Sequence, residues 1–185
     1  MINQNFVIVG VLLQFFGGLS YLVDTLNGKI KPNKVSWFLW SLAPLTAFVG
    51  EIKQGVGIQS LATFIIGFVP LLIFIASFVN RKAEWKINRL DIICGILSIA
   101  GLILWYITRV GNIAILFGII ADALAYIPTL TKAYYYPETE NPNVYIFGVA
   151  NAGIALLTIQ NWNFANFGFL LYILIFDSMK MFLTW

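Results

Sequence analysis

Charged residues in this chain sit almost entirely between seven long uncharged stretches, a pattern that a soluble domain cannot bury. The stretches run Phe6–Val23, Val35–Gly50, Val56–Val79, Ile92–Thr108, Val110–Ala121 with its continuation Ala123–Thr131, Val144–Gln160 and Phe164–Phe176. Each can form a helix close to the ~20 residues that cross a bilayer, given flanking residues that snorkel or prolong it. Backbone in hydrocarbon must satisfy its own hydrogen bonds, which makes helices the default. A soluble helical bundle would need polar stripes on its outer helices, and none is visible in a chain that is 60% hydrophobic and 10% charged. The expected fold class is therefore all-α integral membrane, with seven transmembrane helices.

Several kinds of chemistry are closed to such a chain. It has no histidine, which removes imidazole triads, relays and metal sites. Cys94, the only cysteine, lies inside an apolar stretch, so no disulfide or cysteine metal cluster can form within one chain. No metal or cofactor is expected. The net charge of +3 reflects loops rather than a basic patch and gives nucleic-acid binding no support. Met1–Asn5 carries no Lys or Arg, so Phe6–Leu26 reads as a first span rather than a cleaved signal.

Loop charges set an orientation. Lys29, Lys31, Lys34, Arg81, Lys82, Lys86, Arg89 and Lys132 follow spans one, three and five, against Lys53 and Arg109 on the other side. That bias puts the N-terminus outside and the C-terminus in the cytoplasm of a multi-pass cell-membrane protein. Trp85, Trp105, Trp162 and Trp185 fall at span ends, as interfacial anchors do.

A three-span unit ends on the wrong side to begin again in the same orientation, and one extra helix corrects this. Span four, Ile92–Thr108, fits that inverting role. The division is residues 1–80 for a first three-helix repeat, 81–111 for a linker with helix four, and 112–185 for a second three-helix repeat, parallel to the first. Ser20-Tyr21-Leu22-Val23-Asp24 matches Ala125-Tyr126-Ile127-Pro128-Thr129 at a spacing of 105, and Lys31-Pro32-Asn33 is echoed by Asn141-Pro142-Asn143. In this 3+1+3 parallel layout, over Phe6 to Leu183, the chain resembles the SWEET sugar transporters and the wider PQ-loop proteins. Val23-Asp24 and Pro128-Thr129 stand where those proteins carry the Pro-Gln dipeptide. The Trp37-x-x-Trp40 pair is similar to that of the Pnu-type vitamin transporters. The resemblance implies a membrane transporter and a central substrate site, with an asparagine contact in the last helix of a repeat, which falls on Asn166.

Polar residues inside spans carry whatever chemistry there is, because lipid makes an ionised side chain expensive. Asp122, near the middle of span five, reads either as a substrate ligand or protonatable gate, or as a hydrogen-bonded carboxyl locking two helices together. Asp177 and Lys180, three apart, can pair on one helix face, with Lys180 snorkelling to the cytoplasmic surface. Trp37, Trp40, Asn151 and Asn166 offer aromatic walls and amide groups suited to a polar solute. Pro44 and Pro128 are candidate hinges.

The function expected is a transporter moving a small polar solute, sugar- or vitamin-like, by alternating access between two three-helix bundles. It would work passively or linked to protons through Asp122. A ligand-binding receptor or sensor of the same fold is the other reading. A membrane enzyme would need clustered acids, bases or metal ligands, and only scattered carboxylates are present. The expected partners are the bilayer and a small-molecule substrate, with homo-oligomerisation left open.

Overall fold

The computed structural model describes residues 2–53, 57–108 and 111–185. Arg109, and the side chains of Lys53 and Trp105, which entered the reading of orientation and anchoring, lie outside the described residues. Among the described residues there are seven α-helices: α1 Phe6–Leu26, α2 Lys34–Lys53, α3 Ser60–Ala76, α4 Arg89–Thr108, α5 Gly111–Tyr135, α6 Asn143–Thr158 and α7 Phe164–Thr184. Among the described residues, three helices are long and apolar enough to cross a membrane: α1, Ile115–Tyr135 of α5 and Asn166–Thr184 of α7. α5 runs unbroken through both Asp122 and Pro128.

Asparagine side chains set where four of these helices begin. Asn33 Oδ1 accepts from the Val35 and Ser36 amides at the start of α2, Asn141 Oδ1 from the Asn143 amide at α6, and Asn163 Oδ1 from the Asn166 amide at α7. At α4 the arrangement is reciprocal. The Asp91 amide donates to Asn88 Oδ1 at 3.1 Å while the Asn88 amide donates to Asp91 Oδ2 at 2.6 Å, a capping box that satisfies donors no helical carbonyl can reach. Asn33 Nδ2 donates to the other Asp91 oxygen at 2.6 Å, tying the starts of α2 and α4 together. α1 ends at Gly28, whose φ of +70° is the left-handed turn that glycine makes at least cost.

The contacts between helices follow one rule twice. α3 packs against both α1 and α2, and α7 packs against both α5 and α6. α1 lies along α6 and α2 along α5, while α4 rests on α5 and α2. On α1 and α4, polar and small residues face inward. On α4 the buried stripe is Asp91, Cys94, Gly95, Ser98 and Gly101, whereas Ile92, Ile93, Ile96, Leu97, Ile103 and Leu104 all face outward. α1 likewise turns Phe6, Val9, Leu12 and Phe16 out and Gln14, Gly17, Gly18 and Tyr21 in. Small inward residues let backbones approach closely, the packing that helices use where no hydrophobic force drives them together.

That closeness is testable at two glycines. A Cβ at Gly17 would stand 2.7 Å from Phe147 Cδ2 and 2.9 Å from the Asn143 carbonyl oxygen, whereas one at Gly153 would meet nothing within 4 Å. Gly17→Ala should therefore destabilise the protein by about 1–3 kcal/mol by pushing α1 off α6. Gly153→Ala should be neutral or stabilising by up to roughly 1 kcal/mol through helix propensity. Thermal melting of the two variants in detergent checks the contrast.

Candidate functional site

Where α1–α3 meet α5–α7, the side chains leave a cavity of about 40 Å³, room for about three waters at roughly 10–15 Å³ each. Every helix except α4 contributes to its lining. α2 supplies Trp37, Trp40 and Pro44, α3 supplies Ile66 and Pro70, and α1 supplies Gln14. From the other trio come Asp122 and Tyr126 of α5, Val144 and Tyr145 of α6, and Ile173 and Asp177 of α7.

Helical spacing builds the polar side of the cavity. Asp122 and Tyr126 lie one turn apart on α5, and Tyr172 and Asp177 face them from α7. The pairs cross: Tyr172 OH donates to Asp122 Oδ2 at 2.9 Å, and Tyr126 OH donates to Asp177 Oδ1. The second Asp177 oxygen occupies the place of the missing Cβ at Gly148, beside Gln14 Oε1. An alanine at Gly148 would collide with that carboxylate.

Aromatic rings form the opposite wall. The Trp37 and Trp40 centroids are 5.2 Å apart, edge to face, and Trp40 lies 4.3 Å from Tyr126. Both indole N–H groups and Gln14 Oε1 are buried with no hydrogen-bond partner in the protein. A buried polar group left unpaired costs about 1–3 kcal/mol, so these three, beside a cavity with room for water, are groups that water or a polar ligand could satisfy.

A second polar cluster adjoins the cavity through Tyr145. Glu140, in the turn between α5 and α6, receives Lys132 Nζ at 2.5 Å on Oε1 and Lys180 Nζ at 3.4 Å on Oε2. Oε2 also accepts from Tyr21 OH at 3.0 Å and Tyr145 OH at 2.8 Å. Lys132 further donates to the Lys31 and Thr139 carbonyls, and Lys180 to the Thr129 carbonyl at 3.0 Å. Both ammonium groups and the carboxylate are fully buried. Tyr145 belongs to this cluster and to the cavity wall at once, so the two are adjacent.

No family model, curated protein or solved structure matches the chain.

The residues singled out from sequence are distributed unevenly. Trp37, Trp40, Asp122 and Pro44 come together at the cavity. Asn151 does not line it. Asn151 is buried where α6 crosses α1, its Oδ1 2.7 Å from the position a Gly10 Cβ would take, and neither side-chain polar atom has a partner. Asn166 is exposed in the first turn of α7, where its Nδ2 donates to the Asn161 carbonyl at 2.7 Å. Pro128 is buried outside the lining, one residue before the carbonyl that holds Lys180.

The local Asp177–Lys180 pair does not form, because Asp177 turns to Tyr126 and Lys180 to Glu140. Lys180 does not snorkel either: it is fully enclosed. Lys132 is buried in the last turn of α5, so it is not one of the outward-facing loop charges. Gln14, Tyr126, Tyr172 and Glu140 escaped the sequence reading. The only local signals were a lone amide in an apolar stretch and tyrosines four and five residues from the two aspartates.

Burial by itself would push the Glu140 carboxyl up, but the Lys132 and Lys180 ammoniums and the hydrogen bonds from Lys132 and Tyr145 outweigh it, holding the group at about 2 against an ordinary 4.5. A lowered folded-state value means that the stabilisation is complete above the ordinary value and is lost only as pH falls towards 2. The Glu140 contribution should thus be constant between roughly pH 5 and 6, clear of that titration. Glu140→Gln leaves two buried cations uncompensated and should cost about 3–5 kcal/mol. Melting curves of the parent and Glu140→Gln proteins over that pH range check both statements.

Proposed function

We propose that the chain is a membrane transporter of a small polar solute, in which α1–α3 and α5–α7 rock against each other around the central cavity. The observation that carries this reading is the cavity itself. It lies between the two trios, excludes the connecting helix α4, and presents buried donors and an acceptor that no protein group satisfies. A receptor would need a binding site alone. Lining drawn equally from the two trios suits alternate opening better.

The apolar outer faces of α1 and α4 favour lipid as the surrounding medium. Identical packing of α3 and α7 within their trios favours two parallel repeats joined by α4 as an inverter, the 3+1+3 layout in which the chain resembles the SWEET and PQ-loop transporters. The amide caps refine the repeat. Asn33 and Asn141 each cap the helix that follows, so the repeat pairs these two residues rather than Asn33 with Asn143. Asn33, Lys29, Arg81 and Lys86 then lie on the cytoplasmic side together with the Glu140 cluster, which shuts the cavity on that side, and the N-terminus lies outside.

Flux into liposomes carrying the purified protein tests the reading. Saturable uptake of at least one member of a panel of sugars, nucleosides, vitamins and small amines is expected. Trp40→Ala, which removes a cavity wall without touching the Glu140 cluster, should lower that uptake by at least about tenfold, or roughly 1.4 kcal/mol. Uptake of nothing in the panel would overturn the proposal, and ligand-dependent stabilisation without flux would convert it to the receptor reading.

A further inference from the structure

The charges buried around the cavity do not sum to zero. Glu140 faces two lysines, Lys132 and Lys180, leaving that cluster one positive charge in excess. Asp122 and Asp177 add two negative charges at the cavity wall. With all five ionised these groups sum to one negative charge, and the two carboxylates at the cavity have no Lys or Arg in its lining to neutralise them. Both lysines are already held by Glu140 and by main-chain carbonyls. Asp91, the other fully buried carboxylate, accepts from Asn33 and Asn88 at the starts of α2 and α4. No Lys or Arg lines the cavity.

The acceptors there converge. Asp122 and Asp177 each receive one tyrosine hydroxyl, with no other hydrogen bond to either carboxylate among the described residues. Gln14 is 94% buried, and its unpartnered Oε1 lies beside the second Asp177 oxygen at Gly148. The rings of Trp37 and Trp40 line the cavity from α2, and their π faces attract positive charge. Resting on the transport reading above, we propose that the solute is a small organic monocation, carrying N–H donors for Asp122, Asp177 and Gln14 and an apolar body against the Trp40 ring. The free indole N–H groups of Trp37 and Trp40 further suit a solute that also bears an acceptor oxygen. A neutral polyol satisfies the hydrogen bonds but leaves the charge, and an anion adds to it. The cavity volume of about 40 Å³ admits only a few heavy atoms, which points to a solute the size of a short amino alcohol.

Uptake of radiolabelled ethanolamine, erythritol and glycolate into liposomes containing the full chain tests the charge preference directly, without any variant. Saturable ethanolamine uptake at least tenfold faster than either of the others is expected, with a rise in melting temperature that sodium chloride at equal ionic strength does not reproduce. Asp122→Asn and Asp177→Asn should each lower ethanolamine uptake at least tenfold while leaving the protein folded, since each removes a charge and keeps a hydrogen-bond acceptor. Entry of erythritol or a sugar without entry or competition by any amine would overturn the cation assignment and leave transport standing. Stabilisation by sodium equal to that by ethanolamine would also overturn it. Failure of every neutral and charged probe to enter would bring down the transport reading, and this inference with it.

Discussion

One carboxylate, Glu140, ties together more of this protein than any other side chain. It takes ammonium groups from α5 and α7 and hydroxyls from α1 and α6, and through Lys132 it reaches the carbonyl of Lys31 in the turn before α2. These five segments belong to both trios. In water such a cluster would contribute little, because ions in solvent lose what they gain on pairing. Buried, each ion depends on the others for its solvation, and removal of any one strands the rest. The packing of both trios at that junction thus depends on the cluster as a unit.

The cavity above it is the complement of that lock. Its polar side is a crossed pair of Tyr–Asp hydrogen bonds between α5 and α7, and the rings of Trp37 and Trp40 line it from α2. Each tyrosine hydroxyl holds one carboxylate oxygen and leaves the other available. The same contacts that order the two helices therefore prepare an acceptor surface, which is how a site is kept in shape before a ligand arrives. Gly148 completes the arrangement by giving the Asp177 carboxylate a place against α6.

How far sequence reasoning reached depended on whether the deciding interaction was local. Helix positions were legible, since charge exclusion from the apolar stretches acts residue by residue. α5 extends through Asp122, whose carboxyl accepts the Tyr172 hydroxyl from another helix. Asp122 and the two tryptophans stood out as polar or amphipathic groups deep in spans. Lys180 was misread because a partner three residues away is visible in sequence, whereas Glu140, some forty residues off in a turn, wins on geometry and on the two tyrosines that accompany it. Asn166 was misplaced for the opposite reason. Its position suggested a span interior, but Asn163 starts α7 there, leaving Asn166 in the exposed first turn.

The proposed function rests on one cavity that would serve two sides of a bilayer in turn. Ile66 of α3 and Ile173 of α7 line it from opposite trios with apolar side chains, and Cys94, the only native cysteine, can be replaced to give a silent background. In Cys94→Ser protein oriented in sealed vesicles, Ile66→Cys and Ile173→Cys should each react with a membrane-impermeant thiol reagent from either face, with reaction from the cytoplasmic face suppressed while the Glu140 cluster is closed and released by Glu140→Gln. Labelling of both positions from one face only, unchanged by Glu140→Gln, or from neither face, would contradict an alternately opening centre.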